Sequence, residues 1–308
     1  MDESILIVAP LRGVDLGDAR EVCLYDEFFL ARADNYREAL QDSVGFHLGR
    51  AQAHDVSRAE WLFCCRRKRS FAESVDIPRA VEVFQDALMA IQIVKPTPTF
   101  GLIFHGEEYQ DHSVRLSGLG DRRWPMESGY WARLRALDSP LVAEVRAIIG
   151  TVLKVMSGSD ISKRNAIHSL QLALEHPHPY ISCLLAVMGM EAIFDSGNRG
   201  EFEKRLCDLL GPDALAFPDW NSPDFPPPTY RVKDIALHLY MLRSKVAHGA
   251  DLKKAAVDKR SSVNLLEFKQ HVGTEFSGYE ERSDAVQYAQ LLGEASIYLL
   301  CQVLRRIL

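Results

Sequence analysis

Arg243 and His248 are separated by four residues in L-Y-M-L-R-S-K-V-A-H-G, the stretch Leu239 to Gly249. A guanidinium is permanently charged and forked, suited to hold a phosphate and the extra charge of a pentacoordinate transition state. An imidazole with an ordinary pKa near 6.5 can take a proton from a ribose 2′-hydroxyl at neutral pH. Together they could cut RNA without a metal and leave a 2′,3′-cyclic phosphate, and DNA would be spared because it lacks the nucleophile. On a straight helix, however, the two residues lie about 140° apart around the axis and roughly 7.5 Å along it. Convergence on one phosphodiester therefore requires the chain to turn at Ala247, with Gly249 in the left-handed conformation that ends many helices. Read without chemistry, the same two residues would be a helix terminus, Arg and His serving its last carbonyls.

Glu191 is a second chemical signal, a carboxylate in the otherwise apolar run Met188 to Phe194. A buried carboxylate needs a partner. The sequence offers Arg243 or His248 on a neighbouring helix, or a plain structural ion pair. Between Thr229 and Arg260 eight basic residues (Arg231, Lys233, Arg243, Lys245, Lys253, Lys254, Lys259, Arg260) face three acids, Asp234, Asp251 and Asp258. A local basic excess on a chain of net charge −6 fits a confined phosphate site better than a surface generally attracted to nucleic acid.

The elements that must position these residues are helical. From Asp138 onward apolar residues recur at helical spacing. Ser139-Pro140 reads as an N-cap and first turn for a helix to about Met156, and further helices are expected over about Ile161–Leu174, Tyr180–Phe194, Glu201–Leu210, Tyr230–Ala247 and Ser283–Ile307. Five prolines between Phe217 and Thr229 demand a loop. The first 137 residues read as mixed α/β: Ser4–Pro10, Glu60–Cys65 and Thr99–His105 are short apolar runs suited to strands, and Asp76 with Pro78 opens a helix that Pro96 and Pro98 stop. The expectation is α+β: a mixed α/β domain over 1–137, regulatory or targeting, followed by an all-helical bundle over 138–308.

The C-terminal half resembles the HEPN superfamily, in its ApeA-like branch. The resemblance is carried by L-L-A-V-M-G-M-E-A-I-F at Leu184 to Phe194, E-K-R-L-C-D-L-L at Glu203 to Leu210, a variable loop, and the Arg-x4-His of Arg243 and His248. It implies an HEPN-type bundle that dimerises so that two Arg and His pairs line one cleft. It also implies a ribonuclease of phage defence or a toxin-like system acting on tRNA or other RNA, under a regulatory protein or a phage component. Arg243 and His248 become catalytic, and Ser244, Lys245, Glu191, Arg205 and Lys204 supporting or phosphate-binding. Active members commonly place Asn, Asp or His directly after the Arg, where this chain has Ser244. Some members bind nucleotide, RNA or protein without catalysis, which is the alternative reading. The N-terminal half is similar in position to the region such proteins carry, without a sharp motif. A third possibility is that the bundle only dimerises and the first domain does the work.

Composition narrows the rest. With 47% hydrophobic and 25% charged residues the chain is that of a folded globular protein. Met1-Asp2-Glu3-Ser4 lacks the features of a secretory signal, so a cytoplasmic location is expected, with no membrane, metal or cofactor. Six scattered cysteines suggest buried thiols. Four weaker signals read blandly. Cys64-Cys65-Arg66-Arg67-Lys68-Arg69 is a strand end entering a charged loop rather than an RNA contact or redox spot. His105, Glu107, Glu108, Asp111 and His112 have no defined ligand spacing, and His176-Pro177-His178 is a turn. Ser117-Gly118-Leu119-Gly120-Asp121 lacks the Lys-Ser/Thr ending of a phosphate loop. Trp124, Tyr130 and Trp131 are read as packing residues rather than a base-stacking surface.

Overall fold

The computed structural model describes residues 4–11, 13–47, 59–68, 76–96, 102–109, 113–121, 136–176, 178–216, 230–249 and 284–308. The chain is α+β and divides into two compact units.

The first unit holds a six-stranded sheet, β1 (Ser4–Leu11), β2 (Glu21–Tyr25), β3 (Phe28–Arg32), β4 (Trp61–Lys68), β5 (Leu102–Glu108) and β6 (Val114–Asp121), in the order β2-β3-β4-β1-β5-β6. All five pairings are antiparallel. The central β1 is buried on both faces from Ile5 to Leu11, which explains why its sequence is a continuous apolar run instead of an alternation. One face carries Leu6, Val8, Phe29, Leu62, Cys64 and Phe104 and meets Tyr36 and Leu40, the latter in helix α1 (Arg37–His47). On the other, Phe63 packs against Phe84 of α2 (Ile77–Val94) at 4.7 Å between ring centroids. Asp76 caps α2 by accepting from the Arg79 N–H at 3.2 Å, with Pro78 in the first turn as expected. Of the expected strands, Ser4–Pro10, Glu60–Cys65 and the His105 segment are present; β2, β3 and β6 add to them. Ser117 to Asp121 lies within β6, with Gly118 opposite His105, so the weak phosphate-loop resemblance is a strand.

Two expectations about the boundary are corrected. Helix α3 (Ser139–Ser157) is capped by Asp138, whose Oδ1 accepts from the Leu141 N–H at 3.2 Å, and Ser139 is already its first residue. Moreover α3 belongs to the first unit, not to a second domain beginning at 138. Its apolar stripe of Leu141, Val142, Val145, Ile149, Val152 and Val155 packs with α2, and the Arg146 Nε donates to the Cys23 carbonyl at 2.7 Å. An amphipathic stripe states that a face is buried but not against which neighbour, so periodicity alone could not assign the helix.

The second unit, from Gly158 on, contains α4 (Ile161–Glu175), α5 (Pro179–Phe194), α6 (Arg199–Leu210), α7 (Val232–Ala247) and α8 (Asp284–Ile307). Asp160 and Asn198 cap α4 and α6, each accepting an N–H at 3.1 Å. Helix α5 packs against all four others, as its nearly uniform apolar composition requires. Gly189 permits close approach: a methyl group there would lie 2.9 Å from Leu300 Cδ2 and from Ser169 Cβ. Among the described residues no single helix is long and apolar enough to cross a membrane.

Candidate functional site

Helix α7 carries the Arg-x4-His motif, and its core side is Val232, Ile235, Ala236, Leu239 and Leu242, all buried. At its start the Asp234 carboxylate accepts from the Arg231 N–H at 3.3 Å, satisfying an otherwise orphaned donor. Asp213, before the helix, accepts from Arg231 Nη1 at 2.9 Å and from Lys233 Nζ at 2.7 Å. The hydrogen bonds from Lys233 and Arg231 hold its carboxyl below the usual range.

At the other end Arg243 turns toward α5. Its Nε and Nη2 both donate to Oε2 of Glu191, at 3.1 and 2.8 Å. The Glu191 side chain is only 13% exposed and that of Arg243 26%, so the pair is largely removed from water. The apolar run around Glu191 therefore contains a partnered carboxylate, and the partner is one of the two that the sequence suggested. Both bonds fall on a single oxygen, so the guanidinium is gripped along its Nε/Nη2 edge and not by the two-oxygen fork. Aromatic packing supports that pose. The Arg243 guanidinium carbon lies 5.7 Å from the centroid of Tyr240, one turn earlier; Tyr240 packs on Phe202 of α6 at 5.6 Å, and Phe202 on Phe194 of α5 at 6.0 Å.

His248 is exposed, together with Ala247 and Gly249. Its backbone N–H still donates to the Ser244 carbonyl at 3.1 Å, and the left-handed residue is Gly249, at φ +66°. The helix ends at Ala247 and Gly249 takes the left-handed conformation, both as expected. His248 is the C-cap, at φ −92° and ψ 10°, and because its N–H closes the last helical bond its Cα leaves the helix about 140° around the axis from Arg243. Within one chain, then, the structure brings Arg243 to Glu191 but does not swing His248 back over the last turn. Ser244 and Lys245 are half-buried beside them, and Lys204 and Arg205 are exposed on α6.

The basic segment is more neutralised than its composition suggests. Arg231 and Lys233 are engaged by Asp213, which lies outside the interval where acids were counted, and Arg243 by Glu191. Lys253, Lys254, Lys259 and Arg260, with Asp251 and Asp258, lie outside the described residues.

The other signals resolve locally. Arg66, first of the four consecutive basic residues, turns onto the sheet, where its Nε donates to the buried Glu108 at 2.5 Å and its guanidinium lies 4.5 Å from the Phe29 ring centroid. Cys64 and Cys65 are buried on opposite faces of β4, and burial raises both thiols above their ordinary pKa. His105 is half-buried, which lowers its pKa; Glu107 accepts from the Tyr109 hydroxyl at 3.0 Å, while Asp111 and His112 lie outside the described residues. The His178 N–H donates to His176 Nδ1 at 3.2 Å, an arrangement of a turn. No cluster of three or more metal-ligating side chains occurs among the described residues. Trp124, Tyr130, Trp131 and the proline-rich segment lie outside them.

Sequence reasoning missed two contributors, Asp213 and the Tyr240–Phe202 packing. Tyr240 was detectable through its three-residue spacing from Arg243, which puts the ring on the guanidinium's side of the helix. Asp213 was not, since a variable loop separates it from its partners. No protein-family model, characterised protein or solved structure matches the chain.

Proposed function

We propose that this protein is a metal-independent endoribonuclease of HEPN type, acting as a homodimer in which Arg243 holds the scissile phosphate and His248 moves the proton. The observation that carries the reading is the anchoring of Arg243 by Glu191, across α5 and α7, beside a helix end that exposes His248. Such anchoring fixes a guanidinium before substrate arrives, the preorganisation that makes a charged donor effective against developing charge. Because Arg243 and His248 diverge along one helix, the reading pairs Arg243 of one copy with His248 of the second across the dimer cleft. Ser244 and Lys245 give secondary contacts, and Lys204 and Arg205 extend the phosphate path. The substrate class is cellular RNA, tRNA included, in phage defence or a toxin-like system in the cytoplasm, with the first unit gating or targeting the site. Purified protein is expected to cut RNA in excess EDTA and to leave 2′,3′-cyclic phosphate ends. His248→Ala cutting at the wild-type rate would sink the reading.

A second reading is a non-catalytic module that binds nucleotide, RNA or a partner protein through the same surface. It is favoured by the neutralisation of Arg243 and of the Arg231–Lys233 end, which lowers the positive charge available to a phosphodiester. RNA binding that survives His248→Ala, with no cleavage of any RNA pool by wild type, selects it.

A further inference from the structure

The Arg243–Glu191 contact uses only part of the guanidinium. Nε and Nη2 are committed to one carboxylate oxygen, and the edge between Nη1 and Nη2 is turned away from it. Displacing Glu191 to admit a ligand would strand a carboxylate whose side chain is 13% exposed, a costly state. A ligand anion is therefore accommodated with Glu191 in place, on the remaining edge. That anion meets a cation whose charge is already offset by a carboxylate one guanidinium away.

Resting on the reading of Arg243 as the phosphate contact, we infer that Glu191 is a positioning residue that also sets the charge class of the ligand. It aims the Nη1/Nη2 edge, and its retained negative charge admits a singly charged internal phosphodiester while opposing a doubly charged terminal phosphomonoester. The second charge of a monoester is repelled by Glu191 at short range in a partly desolvated setting, where Coulomb energies exceed those in water. The diester loses less, because its single charge is met by two aimed N–H groups. The site is thereby biased toward the interior of an RNA strand and away from its phosphorylated ends.

The test uses the full chain and two probes that cannot be cleaved: a dinucleotide with one internal phosphodiester and a 2′-deoxy sugar at the attacking position, and the corresponding nucleoside 3′-monophosphate. Wild type is expected to prefer the diester by about tenfold in Kd at pH 7.5. Glu191→Gln keeps an oxygen that accepts from Arg243 and removes the charge. It should bring the two affinities within about twofold, chiefly by strengthening monoester binding. Glu191→Ala, which loses the anchor too, should weaken the diester as well, and Gln but not Ala should retain diester affinity. A diester-to-monoester ratio equal in wild type and Glu191→Gln overturns the inference. Arg243→Ala separates the two levels: if it binds both probes as wild type does, or wild type binds neither, the phosphate-contact reading itself falls. If Arg243→Ala abolishes binding while Glu191→Gln leaves the ratio unmoved, only the role of Glu191 falls.

Discussion

Removing Arg243 while leaving Glu191 should destabilise the helical unit more than removing both. In Arg243→Ala the Glu191 carboxylate, 13% exposed, loses both hydrogen bonds and its counter-charge. Breaking a fully buried pair from one side costs about 3–5 kcal/mol. Here residual water access reduces that to about 2–3 kcal/mol. Glu191→Ala leaves the guanidinium, 26% exposed and still beside Tyr240, with an expected cost of about 1–2 kcal/mol. The double variant has no stranded charge and loses mainly packing, about 1–2 kcal/mol. The coupling energy from the cycle is then about 2 kcal/mol, against the 0.2–1 kcal/mol or so typical of exposed pairs. Urea unfolding followed by circular dichroism at 222 nm measures it. With a slope of about 2 kcal/mol per molar, Arg243→Ala shifts the midpoint down by about 1 M, and adding Glu191→Ala does not lower it further. A coupling energy below about 0.5 kcal/mol would refute the claim that this contact is a desolvated anchor.

Other expectations follow from the same packing. Gly189→Ala gains about 1 kcal/mol of helix propensity but forces contacts at 2.9 Å with Ser169 Cβ and Leu300 Cδ2, so a net loss of about 1 kcal/mol is expected, a drop of about 0.5 M in the urea midpoint, whereas Gly200→Ala, with its nearest neighbour at 3.6 Å, should be neutral or stabilising. Mixing Arg243→Ala with His248→Ala should restore about a quarter of wild-type RNA cleavage if each site draws one residue from each copy, because half the randomly mixed dimers hold one intact site of two; no recovery after subunit exchange counts against a shared site. Thiol labelling at pH 8 should modify exposed Cys23 first and Cys207 next. It should spare Cys64, Cys65, Cys183 and Cys301 until urea unfolds the chain, because these four are buried and Cys183 is pushed up to about 12, leaving it as the unreactive thiol. Asp213→Asn releases Arg231 and Lys233 and should steepen the salt dependence of RNA binding by about one in the log–log slope; an unchanged slope excludes that end of α7 from the RNA path.

What was legible in the sequence was whatever has a local cause. Asp76 with Pro78 marks the start of α2 because a cap and a fixed φ act within one turn, and α4 to α8 fall within two residues of their expected limits. Strands β2 and β3 were not legible, being five residues each and exposed or buried according to neighbours distant in sequence. The assignment of α3 failed for the same reason. At the site, Glu191 was found by its anomaly, a carboxylate in an apolar run, and the helix end at Ala247 was legible from the glycine two residues on. What was not legible is that the His248 N–H, just past that end, stays bonded to the Ser244 carbonyl.

Helix α8 touches α4, α5, α6 and α7 alike. During synthesis those four emerge from the ribosome well ahead of it, with the apolar faces that Leu291, Leu299, Leu300, Val303 and Leu304 will cover still bare. Completion of this core thus waits on α8, and a chain cut short before Asp284 is expected to present its unclosed interior to chaperones and proteases.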